Sequence, residues 1–78
     1  MNKEYKDIIA KYAKLDADMI TEEGRLAEDY GLDSMKKIEL LTEIEDTYNI
    51  RFKPDEDDMG AIFQTAGTLW GYIKSKKP

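Results

Sequence analysis

Apolar residues along this chain recur at intervals of three and four rather than at every second position. Tyr5, Ile8, Ile9 and Tyr12 stand at i, i+3, i+4 and i+7, which places them on one face of a helix predicted over 3–14. Lys3, Lys6, Lys11 and Lys14 fall elsewhere on that helix. A connection follows over 15–33, long for a stretch without regular structure. It carries Met19, Ile20, Leu26, Tyr30 and Leu32, so it is expected to pack back over the core. Thr21-Glu22-Glu23-Gly24 can support a short turn of helix within it, and Gly31 suits a turn just before the next element.

The clearest periodicity spans 34–48. Ile38, Leu41, Ile44 and Tyr48 form the stripe expected to be buried, with Met35 and Leu40 at its edges. Asp33 or Ser34 serves as N-cap, its side-chain oxygen accepting a backbone N–H that the first turn leaves unpaired. Glu39, Glu43 and Asp46, at i, i+4 and i+7, share an outward acidic face. Asn49 tolerates left-handed backbone and ends the helix. Ile50 and Phe52 then re-enter the core, and Pro54 stops helical continuation. The acidic run Asp55-Glu56-Asp57-Asp58 favours the positive end of a following helix of about two turns, with Met59, Ile62 and Phe63. Thr65 caps a last helix over 66–75, in which Ala66, Leu69, Trp70 and Ile73 repeat the helical spacing. Gly67 and Gly71 weaken it, and Lys74, Lys76 and Lys77 suit its negative C-terminal end. Val is absent and the Ile residues do not alternate in period two, so a sheet has little support. The expected fold class is all-α: a small four-helix bundle of three main helices and one short one.

Composition narrows the chemistry. The chain has 78 residues, 41% of them hydrophobic, enough for one thin core and one domain over 1–78. It contains neither Cys nor His. Disulfides, thiolate nucleophiles, zinc–thiolate sites, imidazole bases and histidine metal ligands are therefore excluded. No catalytic residue and no metal ligand set is expected, and the chain does not read as an enzyme. A calcium loop beginning at Asp55 fails at Met59 in its fifth position and Ala66 in its twelfth, where a bidentate Glu is needed. With 12 Lys and Arg against 17 Asp and Glu the net charge is -5, which disfavours nucleic acid and suits basic protein partners. Neither a membrane span nor a secretory leader is evident, so a cytoplasmic protein is expected.

Gly31-Leu32-Asp33-Ser34-Met35 departs from the generic. It resembles the attachment motif of acyl and peptidyl carrier proteins, in which a Ser after Asp receives 4′-phosphopantetheine. Leu26-Ala27-Glu28-Asp29-Tyr30 resembles the approach to that motif, and Ile38 through Glu45 resembles the helix after it. Tyr48-Asn49-Ile50-Arg51-Phe52-Lys53-Pro54-Asp55-Glu56 is similar to the family's exit from that helix, and Thr65 through Ile73 to its Thr-capped last helix. The resemblance covers about 26–73; residues 1–25 fit in length and amphipathicity only.

The resemblance implies an acyl-carrier-type bundle with phosphopantetheine, derived from coenzyme A, joined covalently to Ser34 and flanked by Asp33 and Met35. The implied partners are a phosphopantetheinyl transferase and acyl or aminoacyl ligases or synthases, served by a monomeric carrier. Fatty acid, polyketide and nonribosomal peptide pathways all remain open. A helix N-terminus favours the phosphate of such an arm. The arm also supplies the thiol that this chain lacks. Taken alone, Ser34 would read as a plain N-cap.

Glu39, Glu43 and Asp46 would be the docking face for basic patches on partners, although most such faces are merely solvated. Lys36 and Lys37 depart from carriers of primary fatty acid synthesis, which usually have acidic or neutral residues there, and suggest a more dedicated partner set. Lys53 likewise replaces a usually apolar residue. Met35, Ile38, Leu41, Ile44, Met59, Ile62, Phe63 and Leu69 could line a cleft for a tethered chain, or simply form the core. The alternative to a carrier is an unmodified helical adaptor that binds partners through the acidic face.

Overall fold

The computed structural model describes residues 1–76; Lys77, one of the lysines assigned to the last helix end, lies outside them. Among the described residues helices run in the order α1 (Lys3–Ala13), α2 (Ser34–Tyr48), α3 (Met59–Ile62) and α4 (Ala66–Lys76), with a 3-10 turn at Ala17–Met19. Among the described residues the extended structure is one isolated bridge, between Arg25 and Thr65. The all-α expectation holds.

Helix α1 starts because Asn2 accepts the Tyr5 amide at 2.9 Å, and it ends at Lys14 in left-handed geometry, φ 58°. It buries Tyr5, Ile8, Ile9 and Ala10, while Tyr12 is half-buried at the edge. The Tyr5 ring lies 4.9 Å from Trp70 of α4, and its hydroxyl donates to the Ala66 carbonyl at 2.7 Å. Burial pushes that phenol well above its ordinary pKa, with the nearby Tyr48 and Tyr30 adding to the shift. The first helix is thus pinned to the start of the last.

Helix α2 has the expected bounds but a different buried stripe. Leu40, Ile44 and Tyr48 face the core, Leu41 is half-buried, and Ile38 is 64% exposed. Both stripes share Ile44 and Tyr48, so periodicity alone cannot choose between Leu40 and Leu41. The neighbouring elements choose. Tyr48 meets Trp70 edge-on at 6.2 Å, while α1 lies along the Glu43 side. Lys11 Nζ donates to Glu43 Oε1 at 2.6 Å, and the Tyr12 hydroxyl donates to the same oxygen at 2.7 Å. Asn49, at φ 54°, ends the helix in the left-handed conformation expected of it.

The connection folds back over the core as anticipated, burying Ile20, Leu26, Tyr30 and Leu32; Met19, by contrast, is 60% exposed. The 3-10 turn carries it outward, and Ile20 takes the buried place. Thr21 to Gly24 form a single turn, closed by the Gly24 amide on the Thr21 carbonyl at 3.2 Å. Three backbone bonds then strap the loop to the start of α4. Ala66 N donates to Gly24 O at 2.9 Å, Gly67 N to Glu22 O at 2.9 Å, and Leu26 N to Gln64 O at 3.1 Å.

Helix α3 is shorter than expected, a single turn capped by Asp58, which accepts the Ala61 amide at 3.1 Å. Thr65 and Thr68 cap α4 reciprocally: each threonine amide donates to the other's Oγ1 at 3.0 Å. Beside it, Phe52 stacks on Tyr72 at 4.8 Å and tilts against Phe63 at 5.4 Å.

The glycines of α4 differ in kind. A Cβ at Gly67 would stand 2.8 Å from the Glu22 carbonyl oxygen, so this glycine permits the strap. A Cβ at Gly71 would meet nothing within 4 Å. Gly71→Ala should therefore stabilise the fold by about 0.5–1 kcal/mol, raising Tm by several degrees, while Gly67→Ala should lower it. Thermal melts followed by circular dichroism compare the two; a stable Gly67→Ala protein would show that the strap yields without cost.

The clasp on Glu43 makes a pH prediction. Burial pushes its carboxyl up, but the hydrogen bonds from Lys11 and Tyr12 outweigh this and hold its pKa below the ordinary 4.5. The stability it contributes is present above pH 4.5 and is lost as pH falls through the lower folded value. Glu43→Gln should cost about 1 kcal/mol at neutral pH and flatten the acid limb of a urea-denaturation profile. A parallel acid limb in the variant would remove Glu43 from the account.

Candidate functional site

The strapped loop delivers the chain to the start of α2 in a fixed geometry. Within it, Tyr30 N donates to Arg25 O at 3.1 Å and Leu32 N to Leu26 O at 2.9 Å, so two buried leucines hold the last turn shut. Gly31 takes the positive φ, 68°, that this reversal needs. The Tyr30 hydroxyl caps the inside of the loop by accepting the Thr21 amide at 2.9 Å. Asp29 accepts the Arg25 amide at 2.8 Å, and that bond holds its carboxyl below the usual range.

Of the two candidate caps, Asp33 does the capping. Its Oδ1 accepts the Lys36 amide at 2.9 Å, and its carbonyl accepts Lys37 N at 2.9 Å. Ser34 is therefore the first residue of the helix proper. It is exposed, and its hydroxyl makes no hydrogen bond among the described residues. The amides of Ser34 and Met35 lie in the first turn, where no intrahelical carbonyl serves them. A phosphate ester on Ser34 would meet unpaired N–H groups and the positive end of the helix dipole. The residues present thus fit the group that the motif implies. Met35 is 72% exposed beside it.

An apolar groove of about 270 Å³ opens near this point, between α2 and α3, lined by Lys37, Ile38, Leu41, Met59, Gly60 and Phe63. Four of the residues expected at a cleft come together there: Ile38, Leu41, Met59 and Phe63. Ile44 and Leu69 are fully in the core instead, and neither Met35 nor Ile62 lines the groove. Sequence reasoning missed Lys37 and Gly60 as walls. Lysine's methylene stem can line apolar space while its ammonium stays wet. Gly60 has no side chain to register in a periodic pattern. A broader hollow of about 580 Å³ between α1 and α2 is lined by Lys3, Glu4, Asp7, Ile8, Lys11, Glu43 and Thr47, and includes none of residues 33–38.

The proposed acidic face divides. Glu39 and Asp46 are exposed, whereas Glu43 is engaged by α1. The hydrogen bond that Glu43 accepts pushes the Tyr12 phenol up to about 12, with burial and the Glu43 and Glu39 charges adding to the shift. Lys36 and Lys37 are half-exposed with no ion pair among the described residues, and the first turn of α2 contains no acid.

Comparison with known proteins agrees with this geometry. The family model for the phosphopantetheine attachment site matches residues 6–60, a span that contains the α2 N-terminus. An acyl carrier protein of Onion yellows phytoplasma (strain OY-M) is 37% identical over 73 residues, covering 94% of this chain and 92% of that protein. An acyl carrier protein of Thermotoga maritima is 32% identical over 71 residues, covering 91% of this chain and 84% of that one. The chain belongs to the acyl carrier proteins, phosphopantetheine-bearing carriers rather than catalysts.

Proposed function

We propose that this carrier bears its phosphopantetheine on Ser34 Oγ and presents acyl or aminoacyl thioesters to the enzymes that load, modify and unload them. The observation that supports the reading is the division of roles at the helix start. Asp33 satisfies the amide of the third helical residue, so the Ser34 hydroxyl is not needed as a cap and faces solvent. A serine that were merely structural would be expected to take the capping bond itself. When bound, the arm supplies the thiol for thioester chemistry. The chain's own part is to hold the attachment oxygen at an exposed, rigid position and to offer unpaired amides to the phosphate.

The groove along Ile38, Leu41, Met59 and Phe63 favours an aliphatic cargo over a charged one. Glu39 and Asp46 remain available to steer basic partners, among them a phosphopantetheinyl transferase. No helix among the described residues is long and apolar enough to cross a membrane. We take the carrier to act as a monomer in the cytoplasm.

Incubation with coenzyme A and a permissive transferase should add one phosphopantetheine mass, and Ser34→Ala should abolish the addition. Modification persisting in that variant, or absent from the wild type with several transferases, overturns the assignment and favours an unmodified adaptor. For docking, Glu39→Lys combined with Asp46→Lys should slow transfer several-fold, and the wild-type rate should fall with added salt, because exposed charges are screened beyond about 8 Å at physiological ionic strength. Stopped-time mass analysis measures both. An unchanged rate in the double variant would leave this face merely solvated.

A further inference from the structure

Ser34, Lys37, Ile38 and Leu41 stand at i, i+3, i+4 and i+7 on α2, so one face of the helix runs from the serine to the groove. Lys37, Ile38 and Leu41 line that groove, and Lys37 is its one charged wall among the described residues. Its side chain is half-exposed and forms no ion pair among the described residues. Residues three apart on a helix have Cβ atoms about 5–6 Å from one another, well within the reach of a lysine stem. Lys36 is placed differently. Two positions from Ser34, it falls on the far side of the helix and does not face the serine.

The charges around Ser34 balance, since exposed Asp33 and Glu39 offset Lys36 and Lys37. Position, not net sign, singles out Lys37. Asp33 is committed to the cap, its Oδ1 accepting the Lys36 amide at 2.9 Å. A phosphodiester on Ser34 would therefore set a second anion at the residue next to Asp33. Both lysines stand within one turn of Asp33, but only Lys37 also neighbours Ser34. Glu39, two positions beyond Lys37, lies on the other side of α2 and does not compete for it. We propose that Lys37 is a positioning residue for the arm: its ammonium donates to an oxygen of the phosphodiester on Ser34 and turns the arm along α2 toward the groove. A lysine suits this as a mobile point charge for phosphate, and its stem can rest on the apolar wall meanwhile. The inference rests on the carrier reading.

The test uses the full chain, labelled with nitrogen-15 and loaded from coenzyme A, with a nitroxide maleimide on the thiol of the arm. Mass reports whether each sample carries one arm, and amide dispersion whether each variant is folded. In the wild type the nitroxide should broaden the amides of residues 59–63 more than those of residues 11–14, which lie on the Glu43 side of α2. Lys37→Gln should reduce the broadening at 59–63 at least twofold, Lys37→Arg should retain most of it, and Lys36→Gln should leave it unchanged. Without the label, the phosphorus-31 resonance of the diester should move on Lys37→Gln and stay in place on Lys36→Gln. Added salt should weaken the preference for 59–63 in the wild type and not in Lys37→Gln. Equal broadening in wild type and Lys37→Gln, or an equal loss with Lys36→Gln, overturns the proposal. A chain that accepts no arm overturns the carrier reading together with this inference, whereas a loaded chain whose arm ignores Lys37 overturns this inference alone.

Discussion

Every polar group in the long connection must find a partner, and that requirement organises the molecule. A loop lying over a core cannot leave its buried N–H and carbonyl groups unpaired. Here the start of α4 supplies the partners. The amides of Ala66 and Gly67 belong to a first helical turn, where they lack intrahelical carbonyls. They are satisfied by Gly24 and Glu22 at 2.9 Å each, while Gln64 accepts from Leu26. The helix end and the loop thus complete one another. Gly67 is the side-chain-free position that lets the two backbones approach, and Tyr5 fastens α1 to the same place through the Ala66 carbonyl. The strap leads through Leu26, Tyr30 and Leu32 directly to Asp33 and Ser34. The position of the exposed serine is therefore set by contacts on the far side of its own loop.

Much of this was legible in the chain. The caps could be read because their chemistry is local: Asn49 and Gly31 at left-handed backbone, Thr65 before α4, and an Asp or Ser before α2. The motif around Ser34 stood out only through its resemblance to a family, because local chemistry alone would make Ser34 a plain N-cap. The buried stripe of α2 could not be read. Leu40 and Leu41 are adjacent and equally apolar, and the choice between them depends on where α1 and α4 lie, which periodicity does not contain. Glu43 illustrates the same limit. On its own helix it belongs with Glu39 and Asp46, but Lys11 and Tyr12, over thirty positions earlier, draw it into a clasp. Gly67 shows the converse: a residue that weakens a helix in isolation is required by a strand of loop distant in sequence.

The groove beside Ser34 also follows from constraints located elsewhere. Only three residues separate Ile62 from Ala66, and all of them are engaged. Phe63 is buried, the Gln64 carbonyl serves the loop, and Thr65 caps α4. The Ala66 amide, which would close the next helical turn on the Ile62 carbonyl, donates to Gly24 O at 2.9 Å instead, so the preceding helix does not continue past this point. At its other end Asp58 commits its side chain to the Ala61 amide, and Pro54 with the turn at Lys53 fills the approach. Helix α3 is held to one turn from both sides. One turn is too short to cover α2, and Gly60, exposed on that turn, adds no side chain to close the gap. The side of α2 carrying Ile38 and Leu41 is consequently left partly open, while Leu40 and Ile44 are sealed. An apolar recess near an exposed serine thus requires no special cavity-forming residues. It is what remains when the caps of α3 and α4 have fixed how much of α2 can be covered.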